Sequence, residues 1–255
     1  MTIRVFLISV VLFFALDPQA FPGTEPDMNA RSIVERMEQA MRGDSSYAEM
    51  TMRVERPRYT REVSMRAWMK GRDFSLVLIT DPPRDRGTAY LMHKNDIWNY
   101  DPRIDRTTRL PPSMMAQSWM GSDFTNDDLV RDTNIVADYD HELAGSERID
   151  GRDTHVIDMI PKPDAAVVWG KVRVWICKKD YLQLRAENYD QRGDIVNTMV
   201  FDRITRFGDR EIPSRITVLP AGEKNEKTAL TYDTVEFDID IEAGFFTRDN
   251  MQRLR

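Results

Sequence analysis

Three histidines, His93, His141 and His155, and one cysteine, Cys177, are the scarcest reactive side chains in these 255 residues. No two of the histidines stand at a metal-ligand spacing. Cys177 ends the apolar-alternating run 172–177 and has no neighbouring signature of a nucleophile, so it reads as a buried structural thiol. There is no Gly-x-Ser-x-Gly elbow and no phosphate-cradling glycine loop. The 42 acidic residues permit many carboxylate pairs, and nothing selects one. Asp123, Asn126, Asp127 and Asp128 have the residue types of a divalent-cation cluster. The stronger reading is a capping arrangement, in which Thr125 opens a helical turn and Asp128 is its third residue, with the acids at the positive end of the helix dipole. The expectation is therefore no catalytic residue, no metal and no cofactor.

Binding is a different matter. Residues 110–129 interrupt an otherwise strand-like rhythm. Pro111 and Pro112 end a strand, Ser113 caps a short helix, and Gly121 stops it. Met115 and Trp119 fall four apart on one helix face, with Met114 beside them and Met120 and Phe124 following. Methionine and tryptophan suit a soft wall that adapts to ligands of variable shape. Two readings stand side by side: a lid over an apolar cavity, or an ordinary plug for the open end of a sheet. Arg103, Arg106 and Arg109 recur every third residue beside Asp101 and Asp105. They form either a basic rim for lipid phosphate or an acidic partner, or an internally paired edge.

The elements that position these residues are mainly strands. Ile33, Val34, Met37, Ala40 and Met41 recur at helical spacing before Gly43, which predicts an amphipathic helix with a glycine C-cap. The period then becomes two: Val63, Met65, Ala67 and Met69 alternate with polar residues, and Trp68 breaks the pattern from the other face. Residues 74–79 are apolar on both faces, which predicts a strand covered on both sides. Further runs at 89–92, 97–100, 155–160, 172–177, 181–189, 195–204, 216–219 and 229–241 are separated by turn signals such as Gly71, Gly151, Gly193 and Gly208. In the last run Leu230 and Tyr232 keep one phase and Val235, Phe237, Ile239 and Ile241 the other, predicting a bulge near Asp233 or Thr234. About ten strands with short turns predict a mainly β fold, one large curled antiparallel sheet wrapped on the helix.

Residues 1–20 read as a signal peptide, with an uncleaved membrane anchor as the alternative: Arg4, an apolar run from 5 to 16 and Ala20 as a small residue near the cleavage point. Residues 21–28 then form a linker, and 29–255 a single domain placed in the periplasm. A lone cysteine excludes an internal disulfide, and no cysteine follows the signal segment to carry a lipid anchor. The 36 basic and 42 acidic residues are intermixed, with a net charge of −6, so no nucleic-acid footprint is expected.

The run Trp98-Asn99-Tyr100 with Asp105-Arg106, then residues 111–115, then the string Met-Gly-Ser-Asp-Phe-Thr-Asn-Asp-Asp-Leu at 120–129, resembles the LolA-like outer-membrane lipoprotein-sorting proteins. Arg42-Gly43-Asp44 and Lys70-Gly71-Arg72-Asp73 fit the same family. The resemblance implies an incomplete β-barrel of about eleven strands with helices at its mouth. It also implies a soluble, chaperone-like carrier that takes up acyl chains of a lipoprotein or phospholipid, between an inner-membrane transporter and an outer-membrane acceptor. Candidate cavity and lid residues are Trp68, Phe74, Leu76, Leu78, Tyr90, Trp98, Met114, Met115, Trp119, Met120 and Phe124, with release tuned by a lid that opens at Met115, Trp119 and Met120. The alternatives are an envelope adaptor of the same fold with a filled interior, and a hydrolase that assembles a carboxylate pair or a histidine site.

Overall fold

The computed structural model describes residues 29–94, 96–131, 135–165 and 167–254. The signal and linker expected at 1–28 lie outside them. Helix α1 (Ala30–Arg42) starts where the Asn29 side chain accepts from the Ser32 amide, and ends at Gly43, whose φ of 67° requires the freedom of glycine. Its buried stripe is Ala30, Ile33, Val34 and Met37. Among the described residues no helix is long and apolar enough to cross a membrane.

The chain then runs out through β1 (Ser45–Arg56), β2 (Tyr59–Lys70), β3 (Phe74–Asp81), β4 (Ala89–His93), β5 (Asp96–Asp101) and β6 (Arg106–Arg109). It crosses over through residues 110–138 and returns through β7 (Tyr139–Ile149), β8 (Arg152–Pro161), β9 (Lys171–Cys177), β10 (Gln183–Tyr189), β11 (Ile195–Phe207), β12 (Arg210–Pro220) and β13 (Lys227–Phe237). All thirteen strands form one antiparallel sheet in the order β6-β5-β4-β3-β2-β1-β13-β12-β11-β10-β9-β8-β7. The first and last strands are thus neighbours at the centre. β6 and β7 are the two edges, and the sheet is not closed into a barrel. The crossover therefore has to span from one edge to the other.

The expectation of about ten strands falls short by β1, β6 and β7. β7 is exposed along most of its length, so it carries no alternation, and β6 is a four-residue polar edge. The expected bulge is present: pairing of β1 with β13 passes from Glu49–Thr234 to Met50–Tyr232, leaving Asp233 unopposed. β13, however, ends at Phe237 and not at Ile241.

Each face of the sheet has its own cover. On the inner face, residues 110–131 lie over Met50, Met52, Val63, Met65, Val77 and Ile79, while α1 lies over Ile157, Met159, Val172, Val174 and Ile176. On the outer face of β2 to β5, the segment after β13 folds back and ends in a short helix, α2 (Arg248–Arg253). Phe246 and Met251 of this tail are fully buried against Leu76, Leu78, Ala89 and Leu91. Ser45 Oγ donates to the Ile239 carbonyl at 2.7 Å and Lys70 Nζ to the Ile241 carbonyl at 2.7 Å. His93 Nδ1 lies 2.9 Å from the Phe246 carbonyl, with the His93 ring edge-on to Phe74. The two-sided apolar run 74–79 is explained: Val77 and Ile79 face the crossover, Leu76 and Leu78 the tail.

Candidate functional site

The crossover is not the single short helix expected between Ser113 and Gly121. It makes two 3-10 turns, Pro112–Met114 and Trp119–Gly121, and residues 117–126 close into a hairpin. The Trp119 amide donates to the Phe124 carbonyl at 2.8 Å and the Asn126 amide to the Gln117 carbonyl at 2.9 Å. Met120 and Gly121 turn the chain with consecutive positive φ values of 49° and 71°. Glycine supplies one of these at no steric cost, and Met120 must be held in the other. Arg61 does so by donating to the Met120 carbonyl.

The hairpin drives Met115, Trp119 and Phe124 into the inner face, with Trp119 fully buried and its ring 5.5 Å from Tyr90. At its turn Asp123 is bound bidentately by Arg56, at 3.0 and 2.8 Å, and accepts from Thr228 Oγ1 at 2.7 Å. Arg56 is itself 3.2 Å from Glu226. These contacts fasten the hairpin to the ends of β1 and β13. A lid that swings at Met115, Trp119 and Met120 would have to break this largely buried ion pair, so the expected opening does not follow from the geometry.

The capping reading of the acidic cluster accounts for Asp128. Its carboxylate accepts from the Thr125 amide at 2.7 Å and Thr125 Oγ1 at 2.8 Å, while the Asp128 amide donates to Thr125 Oγ1 at 3.1 Å. The turn that follows is a π-helix, Asp127–Arg131. Asn126 Nδ2 donates to the Met114 carbonyl at 2.9 Å, so the cluster is spent on the hairpin and its sequel. Among the described residues no group of three His, Cys, Asp or Glu side chains is placed to hold a metal.

Burial pushes the Asp128 carboxyl up to about 6, against the hydrogen bonds from Thr125 and Trp169 and with a small push from Asp127. A carboxyl raised in the folded state contributes stability below its unfolded value near 4, and that contribution is lost as the pH rises through about 6. Asp128→Asn is expected to flatten the pH dependence of stability between about pH 4 and 7, by about 1–3 kcal/mol. Urea titrations at several pH values check this, and unchanged curvature would rule the linkage out.

Of the eleven candidate cavity residues, Tyr90, Met114, Met115, Trp119, Met120 and Phe124 share the inner cluster. Trp68, Phe74, Leu76, Leu78 and Trp98 do not. They lie on the outer face beneath Ile241, Phe245, Phe246 and Met251. The physical reason is the period of two: on strands covered on both sides, alternate residues are equally apolar, and one step of register exchanges the faces. Arg103 chelates Asp101 and Arg109 pairs with Asp96, all on the exposed β5–β6 edge, where Arg106 is exposed as well. The three histidines lie on β4, β7 and β8, and His141 Nε2 is 2.8 Å from the Ile135 carbonyl. Cys177 is buried with Leu182, Leu184 and Ile212.

The inner face holds two apolar clusters, one under the hairpin and one under α1. They meet on β11 and β12, where Met199 and Ile216 pack against both and remain half-buried. Around the hairpin side of this seam lie half-buried Met114, Met120, Leu129, Val168 and Tyr232. Met199, Ile216 and Tyr232 were not among the expected residues. Their runs alternate cleanly, but only the sheet order brings them opposite the crossover.

This mainly β fold, an open antiparallel sheet with few helices, is shared with solved structures of LolA-like lipoprotein-sorting proteins. The structure superposes on an outer membrane lipoprotein-sorting protein domain from Vibrio parahaemolyticus with a TM-score of 0.79, at 23% identity over 88% of this chain and 98% of that one. A DUF1329 family protein from Desulfovibrio piger gives 0.79 at 25% identity, over 88% and 98%. A LolA superfamily protein from Nitrosomonas europaea gives 0.76 at 26%, over 87% and 98%. Among curated proteins nothing matches the chain. A family model described as "-like: Uncharacterized protein" matches residues 71–253, well over half of the chain, and the chain belongs to this family of LolA-like proteins.

Proposed function

We propose that the protein is a non-catalytic periplasmic carrier that takes an acyl chain of a lipoprotein or phospholipid along the seam at Met199 and Ile216. The observation that carries this reading is that Met199 and Ile216 pack against both apolar clusters of the inner face, yet the two covers leave them half-buried. Eight of the fifteen methionines belong to the cluster under the hairpin: Met50, Met52, Met65, Met92, Met114, Met115, Met120 and Met199. Flexible thioethers adapt to a tail without a fixed shape. Removing a methylene from water yields roughly 0.8 kcal/mol, so about fourteen contribute on the order of 11 kcal/mol before ordering costs reduce the sum. Net binding is then moderate, as a carrier that must release its cargo requires.

Protein purified without detergent is expected to yield lipid on organic extraction and mass spectrometry, and to bind a fluorescent fatty acid. Ile216→Glu, which sets a charge in the seam, is expected to weaken that probe by about tenfold or more. Absence of both extracted lipid and probe binding would overturn the proposal. One observation favours a second reading, an envelope adaptor that partners a membrane transporter without a lipid. Trp119 and Phe124 already fill the β1–β5 half of the inner face. That reading expects a cross-linked protein partner in place of a ligand.

A further inference from the structure

The carrier reading leaves unused a second concavity, on the outer face of the sheet over β1, β13, β12 and β11. It encloses about 520 Å³, within the range of small-molecule sites. It exists because Thr217, Ala229 and Thr231 are short where their neighbours are long. Its rim carries Arg53, Arg203, Arg215 and Lys227 against Glu55 and Asp202, and with Glu62, which pairs with Arg53, the local excess is one positive charge in a chain whose net charge is −6.

Three of these cations already have partners. Arg215 Nε donates to Asp202 at 2.7 Å, Arg53 reaches Glu62 at 2.9 Å and Glu55 at 3.1 Å, and Lys227 lies 3.4 Å from Glu55. Arg203 is different. It is exposed, and its guanidinium makes no ion pair among the described residues. Its backbone takes a φ of 56° opposite Ser214, within an unbroken β11–β12 register that runs from Asp202–Arg215 to Ile204–Pro213. An L residue adopts that conformation only at a cost, so its surroundings must hold it there. The hydroxyls of Ser214 and Thr205 hold this backbone conformation by donating to the Arg203 carbonyl at 2.8 and 2.9 Å. An unpaired guanidinium is thereby held at the rim of a cationic groove, while Leu219 at the same rim is 40% exposed and offers an apolar contact.

We propose that this outer groove binds a phosphate group, either free or as the headgroup of an anionic amphiphile, with Arg203 as its principal ligand. Among the described residues Arg203 supplies the one cation without a carboxylate partner at this rim, and guanidinium recognises phosphate oxygens through a fork of parallel hydrogen bonds. The inference is independent of the inner seam.

The full chain would be titrated at low salt with inorganic phosphate and, separately, with a short-chain phosphatidylglycerol below its micelle concentration, by calorimetry. Saturable binding that weakens with salt and falls by about tenfold in Arg203→Asn is expected, the loss of a charge-assisted hydrogen bond. Asparagine tolerates positive φ, so the backbone conformation is kept, and Lys227→Gln supplies a second variant with an ordinary backbone. Binding of both ligands supports a general phosphate site; binding of the lipid alone supports a headgroup site. No saturable binding of either, or an affinity unchanged in both variants, overturns the proposal. Fatty-acid probe binding is expected to be the same in Arg203→Asn as in the parent, which separates this site from the inner one.

Discussion

Trp119→Ala lowers the unfolding free energy by about 4 kcal/mol, the cost of removing a fully buried aromatic side chain and leaving a cavity behind. Trp119 is the largest side chain with no exposed surface, and it joins Tyr90 to the methionines of the inner face. Trp119→Phe is expected to cost far less, within about 1 kcal/mol of the parent. The indole Nε1 is buried with no hydrogen-bond partner among the described residues. An unsatisfied donor of this kind costs the folded state about 1–3 kcal/mol, so removing it offsets much of the volume lost. Urea unfolding of the two variants decides the matter. Equal losses for Phe and Ala would mean that the indole N–H is satisfied and that the hairpin's packing has been misjudged.

Arg56→Ala is expected to destabilise by about 3 kcal/mol, because it leaves the Asp123 carboxylate unpaired in a site where the two side chains are only 13% and 11% exposed. Replacing both partners, as in Arg56→Met with Asp123→Leu, is expected to recover most of that loss, since neither charge is then left behind. Thermal and urea unfolding of the single and double variants measure the difference. A double variant no more stable than Arg56→Ala would show that the pair does not act as the hairpin's fastening. The same contacts make amide exchange at Trp119 and Phe124 expected to follow opening of the whole sheet, in place of a loose lid.

Much of this architecture was legible in single residues. Gly43 marks the end of α1 because its backbone conformation excludes a side chain at little cost only for glycine. The phase slip between Tyr232 and Val235 marks the bulge at Asp233, since a strand can exchange faces only by inserting a residue. Thr125 and Asp128 announce their capping pair by spacing alone. β1 was equally readable, with Ala48, Met50, Met52 and Val54 alternating against polar residues, although the strands were expected to begin at Val63. β7 was not readable, because an edge strand exposed on both faces has no buried set to impose a pattern.

The sequence by itself determined a β-rich chain with one amphipathic helix and an apolar interruption at 110–129. Only the tertiary structure decided which half of each apolar strand faces the helix and the hairpin. Leu76 and Val77 are equally hydrophobic neighbours, and what sends them to opposite faces is the tail carrying Phe246, some 170 residues further along, folding back over one side. A periodicity of two tells that there are two faces. Which one lies inside is set by long-range packing, through contacts that no local pattern encodes.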